Sequence, residues 1–263
     1  MNKLNYGCKD LVVVISGGTS GIGLATAEKL AADGARAYIL GRDAARGAAA
    51  VRHIEEQTGV RVCFVGCDVK KAASCKEAAA KISESEKSLL GEQQAHIDIL
   101  VNSAGVYAEQ RLDNMTEADY DTIMDTNVKG TLLLTQACLP MMYGGGSIVN
   151  IASDAGVSGN YGCPVYCASK GAVVALTRAL ALDLAPAIRV NCICPADVDT
   201  PLLARQLVDA NGGYTLADMA AAYPLGHIGR AEEIAHAICS VASPANSFMT
   251  GSIITVDGGI TAG

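Results

Sequence analysis

Short apolar runs alternate along this chain with longer segments of helical periodicity. Residues 11–17 form a continuous apolar run, the pattern of a strand buried on both faces. A glycine-rich stretch follows, then a helical pattern from Gly23 that closes at Gly34. The alternation predicts a strand over 36–41 and a helix with Asp43 as its N-cap. It then predicts a strand over 60–69, a helix from 72 that frays into a Ser/Glu-rich surface segment, and a strand over 97–105. Residues 116–142 read as one long helix, 145–153 as a fifth strand, 164–183 as a helix and 188–195 as a strand. After a variable stretch at about 200–226, a helix starts at Ala231 and a last strand covers 251–259.

Strands alternating with helices at this spacing imply right-handed βαβ crossovers and a parallel sheet covered by helices on both faces. No Pro-rich linker, composition break or internal repeat divides the chain, so residues 1–263 read as a single doubly wound α/β domain. Half of the residues are hydrophobic and only 18% are charged, enough apolar material for a large core. Trp is absent and Phe occurs twice, so that core must be Ala, Val, Leu and Ile. A formal net charge of −7 argues against nucleic acid as the main partner. The polar start and the lack of a long apolar run predict a cytoplasmic protein with no membrane partner. Ten cysteines raise the question of metal or disulfides, but pairs such as Cys163/Cys167 and Cys192/Cys194 never give CxxC spacing. They read as reduced thiols filling core space, and no metal site is expected.

The turn Ser16–Gly23, Ser-Gly-Gly-Thr-Ser-Gly-Ile-Gly, joins the first strand to the first helix. Glycines there let backbone N–H groups approach a pyrophosphate at a helix N-terminus, although the spacing departs from GxGxxG. An ordinary tight turn is the alternative; the strand–turn–helix context favours the phosphate site. At the end of the second strand, where an acid often holds the adenosine ribose, stands Gly41, followed by Arg42 and Asp43. Asp43 suits a helix cap, while Arg42 could meet a 2′-phosphate, which favours NADP over NAD. Farther on, Tyr166 and Lys170 lie four residues apart and share a helix face.

With Gly-Gly-Thr-Ser-Gly-Ile-Gly, Val-Asn-Ser-Ala-Gly, and Ser153 with Tyr166-Cys-Ala-Ser-Lys170, the chain resembles the short-chain dehydrogenase/reductase family over nearly its whole length. The likeness is to its 3-oxoacyl-carrier-protein reductase and hydroxysteroid dehydrogenase type. It implies a Rossmann-type fold, NADP or NAD as hydride acceptor, and an activity on CH–OH groups. Gly17, Thr19, Ser20, Gly21, Ile22 and Gly23 would then lie at the coenzyme phosphates, and Arg42, Asp68 and Val69 around its adenosine half. Asn102, Ala104 and Gly105 would border it at the fourth strand, and Val198 and Thr200 would approach the nicotinamide carboxamide. Asn127 would hold a catalytic water, with Ser153, Tyr166 and Lys170 doing the chemistry. Ser103 stands where the family commonly has Asn, and Ala196 where Gly is usual.

Such a reaction needs a phenol, ordinarily with a pKa near 10, to give and take a proton at neutral pH. A neighbouring ammonium and the positive nicotinamide ring would favour phenolate, and a hydroxyl could polarise the carbonyl. Residues 201–225 occupy the place of the family's variable substrate loop. Gly212-Gly213 could hinge it, and Leu202, Leu203, Leu207, Tyr214 and Met219 offer apolar contact, which favours a hydrophobic substrate such as a hydroxysteroid. A 3-oxoacyl thioester is the alternative, Tyr161 is a candidate neighbour of the substrate, and a coenzyme-binding regulator without turnover is the alternative of another class. The helix 170–186 is apolar nearly all round and so reads as covered on every side; the resemblance implies that such helices pair between subunits, in a homotetramer.

Overall fold

The computed structural model describes residues 5–90, 95–209 and 215–262. Seven parallel strands form one sheet in the order β3-β2-β1-β4-β5-β6-β9. They are β1 (Val12–Ser16), β2 (Arg36–Gly41), β3 (Cys63–Gly66), β4 (Ile99–Asn102), β5 (Gly146–Ile151), β6 (Ile188–Pro195) and β9 (Ile253–Val256). Every residue of β1, β4 and β5 is buried, as the continuous apolar runs require of central strands. A separate two-stranded pair joins β7 (Val198–Asp199) to β8 (Gly229–Arg230). Two large apolar clusters, one on each face of the sheet, make most of the core, and a smaller third joins Val173 and Val174 to Cys192 and Cys194.

The chain runs outward from β1 through α1 (Gly21–Ala32), β2 and α2 (Ala44–Thr58) to the edge strand β3. It returns through α3 (Ala72–Leu90) to lay β4 on the other side of β1. This reversal opens a crevice beyond the C-terminal ends of β1 and β4, the place where open α/β sheets bind ligands. Asp43 caps α2, accepting the Ala45 and Arg46 N–H groups at 2.9 and 3.0 Å, and Gly59 ends the helix at φ +73°.

Three elements differ from the sequence reading. The third strand is four residues rather than ten, because its one partner, β2, ends at Gly41 and the ladder stops at Gly66. Helix α3 does not fray at its Ser/Glu segment: Glu86 is fully buried and receives Arg36 at 3.1 Å and the Tyr38 hydroxyl at 2.7 Å. The long helix expected at 116–142 is interrupted. After α4 (Glu117–Met124) comes a π-helical stretch, Asp125–Lys129, before α5 (Gly130–Cys138). The 201–225 stretch holds α7 (Pro201–Asp209) and α8 (Leu216–Ala221); Gly212-Gly213 and Tyr214 lie outside the described residues.

Helix α6 (Pro164–Asp183) begins with proline at its first position, which suits its fixed φ, and packs on β6. It alone among the described helices has the length and apolar composition of a membrane span, yet its inner face, including Lys170, is buried in this fold. Helix α9 (Ala231–Ala242) packs against α1 on the opposite face of the sheet. Eight of the ten cysteines are buried; Cys167 is half-buried and Cys63 is exposed on the edge strand.

Candidate active site

A cavity of about 840 Å³ opens over the C-terminal ends of the strands and extends from the glycine turn to α8. Its floor at one end is the β1–α1 turn, with Gly17, Thr19, Ser20, Gly21, Ile22 and Gly23 on the wall. The turn is built too tightly for side chains: a Cβ on Gly23 would lie 2.5 Å from the Gly17 carbonyl oxygen. The N-terminus of α1 therefore points bare N–H groups at the cavity, which suits a pyrophosphate. Arg42, Asp68 and Val69 line the end beyond β2 and β3, and Ala104, Gly105, Val198 and Thr200 also lie on the wall. The glycine cradle and this wall fit a dinucleotide.

Asn102 and Asn127 do not reach the wall. The Asn102 amide donates to Thr135 Oγ1 at 3.0 Å and Asn150 Oδ1 at 2.9 Å, inside the sheet. Asn127 lies in the π-helical stretch, where its Oδ1 accepts the Val106 N–H at 2.8 Å. Its Nδ2 donates to the Val106 carbonyl and Ser169 Oγ, both at 3.0 Å. It thereby ties the loop after β4 to α6. Gly105 sits opposite: a Cβ there would fall 3.4 Å from Asn127 Oδ1 and 3.5 Å from Lys170 Nζ.

Ser153, Tyr166 and Lys170 converge on one wall. Ser153 follows β5 and heads the 3-10 turn Asp154–Gly156, which lies directly on α6. Contact is that close because residue 156 is glycine: a Cβ would be 2.7 Å from the Lys170 carbonyl carbon. Lys170 Nζ donates to the Ile151 carbonyl at 3.0 Å and stands 5.7 Å from the centre of the Tyr166 ring. Burial pulls the Lys170 pKa down to about 8. Burial pushes the Tyr166 phenol well above its ordinary value; a hydrogen bond with Ser153 opposes this, and the charges of Asp154 and Asp197 add to it. Lys170 does not offset this rise in the coenzyme-free chain, and a further positive charge bound beside the phenol would lower it toward neutral pH.

Sequence reasoning missed part of this wall. Tyr107 packs edge-on against Tyr166, with ring centres 4.8 Å apart. Arg46 joins Arg42 at the end beyond β2, and Asp154, Asp197 and Tyr223 also line the cavity. Asp154 could have been flagged as the neighbour of Ser153; the pairing of Asp197 with Tyr223, 26 residues away, left no local signal. Tyr161 does stand at the mouth, 87% exposed, where its hydroxyl accepts Arg111 Nη1 at 3.2 Å.

Comparison with known proteins gives one consistent picture. A model of the Enoyl-(Acyl carrier protein) reductase family matches residues 17–261. An uncharacterized oxidoreductase of Thermotoga maritima is 38% identical over 95% of this chain and 97% of its own length. The 2-(S)-hydroxypropyl-CoM dehydrogenase 3 of Xanthobacter autotrophicus is 35% identical, covering 97% of this chain and 98% of its own. Among solved structures, a glucose/ribitol-type short-chain dehydrogenase/reductase from Brucella melitensis superposes with a TM-score of 0.87 at 32% identity, covering 98% of this chain and 99% of its own.

Proposed function

The chain belongs to the short-chain dehydrogenase/reductase family of NAD(P)-dependent oxidoreductases acting on CH–OH groups, and from that premise we propose that it interconverts a secondary alcohol and a ketone at Ser153, Tyr166 and Lys170. The observation that carries the reading is the convergence of these three side chains on a cavity that starts at a phosphate-sized glycine turn. Bound coenzyme supplies the hydride chemistry and a positive ring. The Tyr166 hydroxyl gives its proton to the alkoxide in reduction and takes it back in oxidation. With its proton turned from Asp154 Oδ1 to the substrate, Ser153 Oγ would donate to the carbonyl oxygen and polarise it. The Lys170 ammonium favours phenolate. Lys170 Nζ and Asn127 Oδ1 both flank Gly105, 3.5 and 3.4 Å from where an added Cβ would stand, and a water held beside the lysine would relay the proton onward.

NADP is the preferred coenzyme in this proposal. Arg42 and Arg46 both stand at the end of β2, and an acid in place of Gly41 would have to displace the Thr19 side chain, 2.9 Å from an added Cβ. Asp43 is engaged in capping α2. Apolar side chains of α7 and α8, Leu202, Leu203 and Met219, support a substrate with a hydrophobic body of hydroxysteroid type. In this reading the protein is a cytoplasmic homotetramer. The assembly is supported by the outer face of α6, where Ala175, Ala179 and Leu182 are exposed.

Turnover of NADPH and NADH against steroid ketones, acetoacetyl thioesters and small diketones tests the reading. Tyr166→Phe should lower kcat at least a thousandfold while coenzyme still binds, measured by quenching or enhancement of NADPH fluorescence. Turnover retained in that variant would overturn the mechanism.

A further inference from the structure

Two carboxylates on the substrate side of the cavity have no part in the chemistry above. Asp154 is 8% exposed, and its Oδ1 accepts both the Ser153 hydroxyl and the Ala155 N–H, each at 2.7 Å. Asp197 lies between β6 and β7. Its Oδ2 accepts the Tyr223 hydroxyl at 2.8 Å, and the same hydroxyl oxygen accepts the Asp197 N–H at 3.0 Å. Each carboxylate thus has one oxygen held by the protein. The second oxygen of each has no donor among the described residues, and neither is sealed away from the cavity that both residues line.

An ionised carboxylate only accepts hydrogen bonds, and one taken out of bulk water needs donors. Asp154 reaches the reacting group through its hydrogen bond from Ser153, and both acids line the cavity that Tyr166 lines, where their charges act on the phenol. Their chain positions agree: Asp154 directly follows Ser153, and Asp197 directly follows Ala196 at the end of β6. Glu109 adds a third acid to the same wall. Of the cations on the cavity wall, Arg42, Arg46 and Lys70 line the end beyond β2 and β3, Lys170 Nζ donates to the Ile151 carbonyl, and Arg205, on α7, spends only its Nε on the Pro201 carbonyl. An anionic group beside the carbinol would meet repulsion there, and a bare hydrocarbon flank would leave both acids without donors.

We infer that Asp154 and Asp197 are specificity-determining residues that receive hydrogen-bond donors, hydroxyl or ammonium, on the carbons flanking the carbinol. The preferred substrate is then a vicinal diol or amino alcohol whose apolar body reaches toward α7 and α8. This inference rests on the dehydrogenase reading above, and a site built to bond a substrate hydroxyl discriminates strongly against the analogue that lacks it.

Coenzyme-dependent oxidation of cyclohexanol, cyclohexane-1,2-diol and 2-aminocyclohexanol by the wild-type chain and by Asp154→Ala, Asp197→Ala and Asp197→Asn provides the test. The wild-type kcat/KM should favour the diol or the amino alcohol over cyclohexanol by at least about tenfold. That ratio should fall toward one in both Ala variants. Asp197→Asn, the gentlest change, should remove a preference for the amine while keeping part of one for the diol, which separates the two donors. A wild-type ratio near one, or a ratio that neither Ala variant lowers, overturns the inference while leaving the dehydrogenase intact. If no probe is oxidised with either coenzyme, the dehydrogenase reading is what fails on these alcohols. Thermal shift of the NADPH-bound protein then decides the inference: stabilisation by diol or amino alcohol beyond that by cyclohexanol supports it, and equal shifts overturn it.

Discussion

Lys170 sits with its ammonium buried between a strand and a phenol, and the penalty for charging it depends on pH. Its pKa in the folded chain, about 8, lies below the model-compound value of 10.5, so the unfolded chain holds this proton more firmly. Between pH 7 and 9 the wild type should therefore gain roughly 1 kcal/mol of stability relative to Lys170→Met, which has nothing to titrate there. Urea unfolding of both proteins without coenzyme, at the two pH values, measures the difference; equal slopes would contradict it. At the other end of the cavity, Arg42→Ala should raise KM for NADPH about tenfold or more and leave NADH nearly unchanged. A KM ratio that stays constant would remove the argument for NADP. The roles of these residues differ in how far the sequence revealed them. Tyr166 and Lys170 are four apart on one helix, a relation that spacing alone contains. Asp197 gains its meaning from Tyr223 and Asp154, which only packing brings near.

Among elements, α6 and β6 have the ends that the sequence pattern predicts, because proline at position 164 starts the helix and an unbroken apolar run defines the strand. The π-helical stretch around Asn127 left no such trace. Its apolar positions still fit a helix, and one extra residue in a turn does not alter that pattern visibly. Its effect is nevertheless local and definite: it sets the Asn127 amide against Val106 and Ser169. Glu86 was illegible for the opposite reason, since an acid in a Ser/Glu-rich segment reads as surface until Arg36 and Tyr38 are seen to close over it. The tightest joint between elements is the turn after Ser153 against α6. Gly156→Ala would drive a methyl into the Lys170 backbone, so it should cost about 1–3 kcal/mol of stability and lower kcat by displacing Ser153 from Tyr166. Thermal melting and steady-state kinetics on the same preparation check both effects.

For the whole molecule, the alternation of apolar runs and helical segments was enough to specify a doubly wound sheet, and the chain reversal between β3 and β4 fixed where the crevice would open. What lies outside one chain is less written in the pattern. Leu182 is 82% exposed on the outer face of α6, and Leu182→Glu should shift the proposed tetramer toward smaller species in analytical ultracentrifugation. A wild-type chain that sediments as a monomer would remove that assembly.

The cysteines offer a different use of the same architecture. Because eight thiols are buried and spread from Cys8 to Cys239, while Cys63 is exposed and Cys167 half-buried, the chain carries its own set of unfolding reporters. A thiol reagent should titrate one or two groups quickly and the remainder only as each region opens, so the order of labelling would rank the local stabilities of the fold. Cys67, the cysteine on the cavity wall among the described residues, should slow most when NADPH is bound. The small side chains that fill this tryptophan-free core thus provide, without any added probe, a region-by-region clock of how the enzyme comes apart.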